Sequence, residues 1–385
     1  VVQCGNLLLP VYWRQEVETM EIRNDFRKFF TIVGILALAV FAPLGRGQAA
    51  EKEKVILDTD MVELLDDGVA MMMLAQAPNI QLEGVTIVFG NTWVEPGTAA
   101  AIRQLEGMGR KDIPVFMGVN EPTRKDRFAH MAEEKRLYGQ NFDSHKGAAG
   151  YPRPASWQQV YRERYHREPD LKPRKEAAAD FIVRTIRKNP GEVTLVAIGS
   201  GANLAAALDR DPAIAGLVKR VVYMAGAFMV EGNVMPHGEF NVWIDPESAR
   251  KVYRAPWTEQ VFLPLDVCNT AKLSRQEYQV LTGKITQPWA RAMWKEYWAE
   301  PLFQQDPGFS SYIWDVLAAA VVIDPLVITR EETLPVDVND QYGPGYGDTL
   351  AYRGFGPEGT QKARIVFAVD QDRLWPMVEK VFDRL

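Results

Sequence analysis

The chain has 385 residues, a formal net charge of −6, 47 % hydrophobic and 24 % charged residues. That balance fits a globular protein with an ample core and no basic face for nucleic acid. Four histidines and two cysteines offer few nitrogen and sulfur ligands, which weighs against zinc, whereas acids abound; a catalytic metal would be a hard, oxygen-bound ion such as calcium or magnesium.

From Met20 the chain reads MEIRNDFRKFF, TIVGILALAVFAPLG and RGQAA: a basic start, an apolar run and a small-residue end. This is the plan of a signal peptide, and the run is shorter than the roughly 20 apolar residues of a membrane span. The expected organisation is an upstream extension plus signal peptide over 1–50 and one folded domain over 51–385. Export, with no stable membrane insertion after cleavage near Ala50, follows. Cys4 would be lost with the leader, leaving Cys268 without a disulfide partner.

Lys54–Leu57 is a short apolar strand that runs into Asp58-Thr59-Asp60. Asp66-Asp67 opens a helix, Gly68–Gln76, that is apolar on every side and so belongs deep in the core. Leu82–Val88 is a strand ending at Gly90-Asn91, about Pro96–Met108 a helix, and Ile113–Met117 a strand. From about Glu121 to Pro173 charge, aromatics, Gly and Pro erase any period, and a loop that long is functional or disordered. Lys175–Lys188 reads as a helix, Val193–Ile198 as a strand ending in Gly199–Asn203, Leu204 onward as a helix and Val218–Met224 as a strand. A loop, Asn233–Asn241, precedes the helix opened by Asp245-Pro246, and Val261–Val267 is a strand. Asp315–Ile323 is an apolar helix, and the chain closes with strands and a helix, Leu374–Leu385. The alternation predicts an α/β fold: a single Rossmann-like domain with an open, mostly parallel sheet and helices on both faces.

Ligands bind outside the carboxyl ends of strands in such sheets. Asp58, Asp60, Asp66 and Asp67 crowd one of those ends, where they would repel one another unless a cation neutralised them. Helix capping needs one aspartate, not four. A strand followed by Asp-x-Asp also opens haloacid-dehalogenase-like phosphatases, with Asp58 as nucleophile, and this segment alone fits that alternative. Asn91 sits in a turn-forming Gly-Asn pair, and Asn203 stands where an N-cap would. Asn233, His237, Glu239 and Asn241 are spaced to meet several sugar hydroxyls with paired donors and acceptors.

The stretches DTDMVELLDDGVA (58–70), VFGN (88–91), VAIGSGAN (196–203), MAGAF (224–228), GNVMPHGEFNVWIDPESA (232–249) and WDVLAAAVVIDP (314–325) together resemble the inosine/uridine-preferring nucleoside hydrolase family. The likeness runs from about Val55 to Phe382. It implies calcium-dependent hydrolysis of the N-glycosidic bond of ribonucleosides to ribose and free base, in purine or pyrimidine salvage. By that resemblance calcium is held by Asp60, Asp67, Asp315 and the Ala202 carbonyl, and Asp60 is the general base for a metal-bound water. Asp66, Asn91, Asn233, Glu239 and Asn241 would hold the ribose, with His145 and Trp314 near the base; the partner is a small-molecule nucleoside, and members form homo-oligomers. Three departures stand out. Val62 occupies a family glycine position, where a positive φ would strain valine; Ala202 replaces threonine; Trp314 replaces a histidine that protonates the leaving base. The altered Val62–Leu65 loop motivates an alternative, an exported nucleoside- or sugar-binding protein of the same fold with weak or no turnover.

Overall fold

The computed structural model describes residues 51–385 except 63, 142–145, 297, 298 and 307. The expected leader therefore lies outside the described residues, as does His145. The strands are β1 (Glu53–Thr59), β2 (Ile80–Ile87), β3 (Val115–Met117), β4 (Val193–Ala197), β5 (Arg220–Met224), β6 (Gln260–Leu263), β7 (Lys272–Ser274), β8 (Ser310–Tyr312), β9 (Ile328–Val338), β10 (Thr349–Ala351) and β11 (Gln361–Val369). Nine of them form one sheet in the order β10-β9-β11-β6-β5-β4-β1-β2-β3, and β7 pairs with β8. From β3 across to β11 every pairing is parallel; β9 runs antiparallel to both of its neighbours.

Strand alternation builds two cores. Val55 and Leu57 face one layer, with helices Asp66–Gln76, Val94–Gly107, Val316–Ile323 and Gln371–Phe382. Ile56 faces the other, with helices Ala178–Lys188, Ala202–Arg210 and Pro246–Arg254. β4 and β5 are buried along their whole length, as strands covered on both sides must be. The helix Asp66–Gln76 is buried from Asp67 to Ala75 and packs on Val316–Ile323, itself buried from Val316 to Val322. Two helices without a polar face thus become each other's environment.

This order puts a topological switch between β1 and β4. After β1 the chain builds β2 and β3 on one side, then returns to build β4, β5 and β6 on the other. The loops leaving β1 and β4 diverge there, and a crevice between them is where open α/β sheets bind ligands.

Several sequence expectations change. Residues 121–173 are not one irregular loop: they contain helices Arg127–Tyr138 and Trp157–Tyr165 and a 3-10 turn, Gly147–Gly150. The stripe that the first helix buries is Arg127, Met131 and Glu134, so two of its three core-facing residues are charged and no hydrophobic period survives. The strand expected to reach Val267 stops at Leu263, because Pro264 has no N–H for the ladder and leads instead into the short helix Leu265–Cys268. The loop Asn233–Asn241 ends in a helical turn, Phe240–Trp243. Val62 is not strained: among the described non-glycine residues only His166 has a positive φ.

Leu74, with no exposure, lies in the core layer that also holds the helix Val316–Ile323. Leu74→Ala should cost about 2–5 kcal/mol, read as a lower urea midpoint at unchanged slope; a loss below about 1 kcal/mol would contradict this packing.

Candidate active site

Asp60 follows β1 directly and is completely buried. The Asn91 backbone N–H donates to its Oδ2 at 2.6 Å, while Oδ1 is buried without a partner. Two glycines allow this position: a Cβ on Gly90 would overlap the carboxylate, and one on Gly199 would lie 2.7 Å from the Asp60 nitrogen. The turns after β2 and β4 therefore close on the acid from both sides.

Asp66, Asp67 and Asp315 converge from opposite ends of the domain, with carboxylate oxygens within 4.8 Å of one another. Thr59 donates its hydroxyl to Asp67 Oδ1, and Asp67 Oδ2 is buried without a partner. Asp66, half-buried at the rim, accepts the Asp67 N–H at 3.1 Å and is also bonded by the backbone of Trp314. Its neighbour Asn91 bonds Asp67 through its side chain. The helix start is thus not capped by either acid; the cap residue is Leu65, with no side-chain bond.

The electrostatics follow from this crowding. Burial, then the Asp67 charge, holds Asp60 well above the ordinary carboxylate range. Burial lifts Asp66 to about 6, and burial with the Asp66 charge lifts Asp67 to about 8. Asp315 is raised by burial and then by Asp66, Asp67, Asp60 and Glu239.

Asp58 stands apart from this group. Its Oδ1 accepts from Thr86 at 2.6 Å and from Asn203 at 2.7 Å, and Oδ2 is sealed off. A carboxylate so enclosed is no phosphatase nucleophile. Asn203 is likewise not an N-cap, since Gly201 holds that place; its amide bridges Asp58 to the Val119 N–H. Ala202, buried, starts the helix between them.

The amide side of the site comes from the loop after β5. Glu239 accepts from Gly226 N–H and Asn241 N–H, each at 2.9 Å, and from Val242 N–H at 3.4 Å. It caps the turn Phe240–Trp243 and its carboxyl group is pushed up to about 7 by burial. Asn233 Oδ1 accepts the Phe240 N–H at 2.9 Å. Asn241 Nδ2 donates to the carbonyls of Ile198 at 3.2 Å and Met224 at 3.1 Å, just past β4 and at the end of β5. Trp314 is half-buried; its indole donates to Asn269 Oδ1 at 3.1 Å and its ring stacks on Tyr312. His237 is exposed and faces Asp348.

The structure thus brings together Asp60, Asp66, Asp67, Asn91 and Asp315, and separately Asn233, Glu239 and Asn241, with the Ile198 carbonyl joining the second group to the switch point. Sequence reasoning missed Thr59 and Asn269. Thr59 was legible as the residue between two acids, since strand alternation turns it to the other side; Asn269 had no signal.

Fold and site together define an α/β enzyme whose reaction centre is built from carboxylates and amides. A profile for inosine-uridine preferring nucleoside hydrolases matches residues 55–376. Uridine nucleosidase 1 of Arabidopsis thaliana is 35 % identical over 305 residues, covering 78 % of this chain and 82 % of that protein. The pyrimidine-specific ribonucleoside hydrolase RihB of Escherichia coli is 28 % identical over 338 residues, covering 86 % and 97 %. Among solved structures, the plant nucleoside hydrolase PpNRh1 aligns with a TM-score of 0.68 at 25 % identity over 86 % of this chain and 99 % of that one. The chain belongs to the inosine-uridine preferring nucleoside hydrolase family and is an N-glycosyl hydrolase. The family is metal-dependent, and the donors fit: all are oxygen, and Asp60 Oδ1 and Asp67 Oδ2 are buried acceptors with nothing to bond.

Because folding raises the pKa of these acids, the native state keeps protons that the unfolded chain releases above about pH 4. Their contribution to stability is full below that pH and is lost as pH rises through about 6 and about 8, the values for Asp66 and Asp67. A cation bound there would replace those protons, so an added divalent cation, calcium as the probe, should raise Tm more at about pH 8 than at about pH 5.5. Thermal scans in chelator and in excess calcium measure this; an equal rise at both would contradict the acid cage.

Proposed function

We propose that the protein hydrolyses the N-glycosidic bond of ribonucleosides to ribose and base, with calcium held by Asp60, Asp67, Asp315 and the Ala202 carbonyl. The observation that carries this reading is the convergence of Asp66, Asp67 and Asp315 beside an Asp60 oxygen that has no partner. Bound there, a hard divalent ion supplies an acidified, oriented water and an anchor for a vicinal diol. Asp60, Asp67 and Asp315 would be the acids that hold such an ion, and Asp66, on the rim, would reach the sugar.

The remaining steps belong to the chain. Asp60 is fixed through Oδ2 by the Asn91 N–H, so Oδ1 is the atom that takes the proton from the attacking water. Cleavage builds positive charge on the ribosyl ring, as in O-glycoside hydrolysis. Glu239 is a carboxylate already tied to backbone N–H groups, so it meets that charge without reorganising. Asn233 and Asn241 divide the hydroxyl contacts. Asn241 has its NH2 bonded to two carbonyls and offers Oδ1 as acceptor; Asn233 has its oxygen bonded and offers NH2 as donor. Trp314 commits its N–H to Asn269 and presents a ring face to the base, which favours bases that leave without a protein acid. Val62 has no positive φ, so strain at a glycine position does not count toward the binding-only alternative that the altered Val62–Leu65 loop motivates. The basic, apolar and small segments from Met20 support export, and a homo-oligomer remains part of the proposal.

Released ribose from a nucleoside panel, with and without chelator, tests the reading. Ribonucleosides should be cleaved only with calcium restored, and 2′-deoxynucleosides poorly, because a missing hydroxyl leaves buried amides unpaired. Asp315→Asn should abolish both turnover and bound calcium. Ligand binding in calcium without any ribose release would establish the binding-only alternative instead.

Asn241→Ala should lower kcat by on the order of a hundredfold with a smaller change in KM, because its contact strengthens in the transition state. A rise in KM at constant kcat would remove it from that role.

A further inference from the structure

The segment between β3 and β4 holds a fully buried ion pair. Arg127, with no exposure, begins the helix Arg127–Tyr138, and Glu134 lies two turns on at 1 %. Arg127 Nη1 donates to Glu134 Oε1 at 2.8 Å. The rest of the guanidinium serves the active-site turn: Nε and Nη2 both donate to the Trp243 carbonyl, at 3.2 and 2.7 Å. Glu134 closes the circuit by accepting the Trp243 indole N–H at 2.9 Å. The guanidinium also lies 4.7 Å from the centroid of the Trp243 ring. On another side, Gly347 packs so tightly, at φ 88°, that a Cβ there would come within 2.8 Å of the Trp243 Cα.

A buried ion pair is a poor source of net stability, since well-packed apolar residues of similar volume often do as well. What apolar residues could not do is hold a carbonyl oxygen and an indole nitrogen at once. Trp243 ends the turn Phe240–Trp243, which carries Asn241 and starts at Glu239. Four residues are too few for a helix to hold itself together in isolation. This turn is fixed at both ends, by Asn233 on the Phe240 N–H and Glu239 on the Asn241 and Val242 N–H groups, and by Arg127 on its last carbonyl.

We propose that Arg127 and Glu134 are positioning residues for the hydrolysis: they lock Trp243 and thereby hold the Asn241 amide in register with the Ile198 and Met224 carbonyls. This rests on the proposed function, because it takes Asn241 to be a sugar contact. The helix that carries the pair is then a brace for the reaction centre, although no residue of the pair touches substrate.

A double-mutant cycle tests it. Arg127→Lys keeps the charge beside Glu134 but loses the two-donor grip on the Trp243 carbonyl. Trp243→Phe loses only the indole N–H and its ring area, and serves where Arg127→Lys does not fold. Each is made alone and together with Asn241→Ala in the full chain, and kcat, KM and Tm are measured on a ribonucleoside with calcium present. Alone, each should lower kcat by about tenfold or more with KM changed far less, since small misplacements of a catalytic contact are costly. In the Asn241→Ala background the added loss in kcat should be under about twofold, because the group being positioned is gone. Losses that multiply fully in the double variants would overturn the proposal and make the pair merely structural. Full turnover in Asn241→Ala alone would overturn the sugar-contact role of Asn241 and the brace with it, whereas a normal Asn241→Ala defect with multiplying losses overturns the brace only.

Discussion

The burial of carboxylates that also repel one another is the constraint from which the rest of this structure follows. Asp60, Asp67 and Asp315 meet where water cannot spread their charge, with Asp66 half-buried at their rim, and after burial itself it is the charge of neighbouring acids that raises Asp60, Asp67 and Asp315. The walls that exclude water are the apolar lengths of two helices, Asp66–Gln76 and Val316–Ile323. The first starts with Asp66 and Asp67 and the second follows directly on Asp315, while the remaining length of each removes the solvent that would stabilise them. Such an arrangement is costly to fold unless protons or a cation occupy it, so binding and stability share one set of atoms.

Specific roles follow from which atoms the backbone has already claimed. Asp60 is bonded through one oxygen and keeps the other; Asn241 has its NH2 bonded and keeps its oxygen; Asn233 is the reverse. Asp58 is held through one oxygen and has the other walled in, which explains how an aspartate two residues from the reaction centre can be purely structural. It holds Asn203, and Asn203 holds both the loop after β3 and the first turn of the helix that begins at Ala202. Preorganisation is therefore inherited from the strand ends, through short chains of hydrogen bonds, and not from the loops themselves.

The sheet and its helices were legible where burial is uniform or periodic. β1, β2, β4 and β5 and the helices Asp66–Gln76 and Val316–Ile323 all lie within a few residues of where composition puts them. Legibility failed where charges are buried. Arg127 and Glu134 occupy core positions of their helix, and a pattern of apolar residues cannot register a guanidinium that is satisfied by a distant carbonyl. The same holds for the turn Phe240–Trp243, whose cap, Glu239, looks in sequence like a pure ligand-binding acid and proves also to be the start of a helix.

By itself the sequence determined the class of fold and the Asp-rich end of β1, while the set of acids and amides expected to gather near it, Asp315 included, came from the family resemblance. The first two are properties of local pattern: strands and helices have their own periods, and like charges in number announce a need for a counter-charge. Only the tertiary structure decided which acids share one cluster, which oxygens remain free, and that Asp58 is excluded. Those outcomes depend on the switch between β1 and β4 and on contacts between residues as far apart as Asp67 and Asp315. No local period encodes a distance between two ends of a chain; packing sets it.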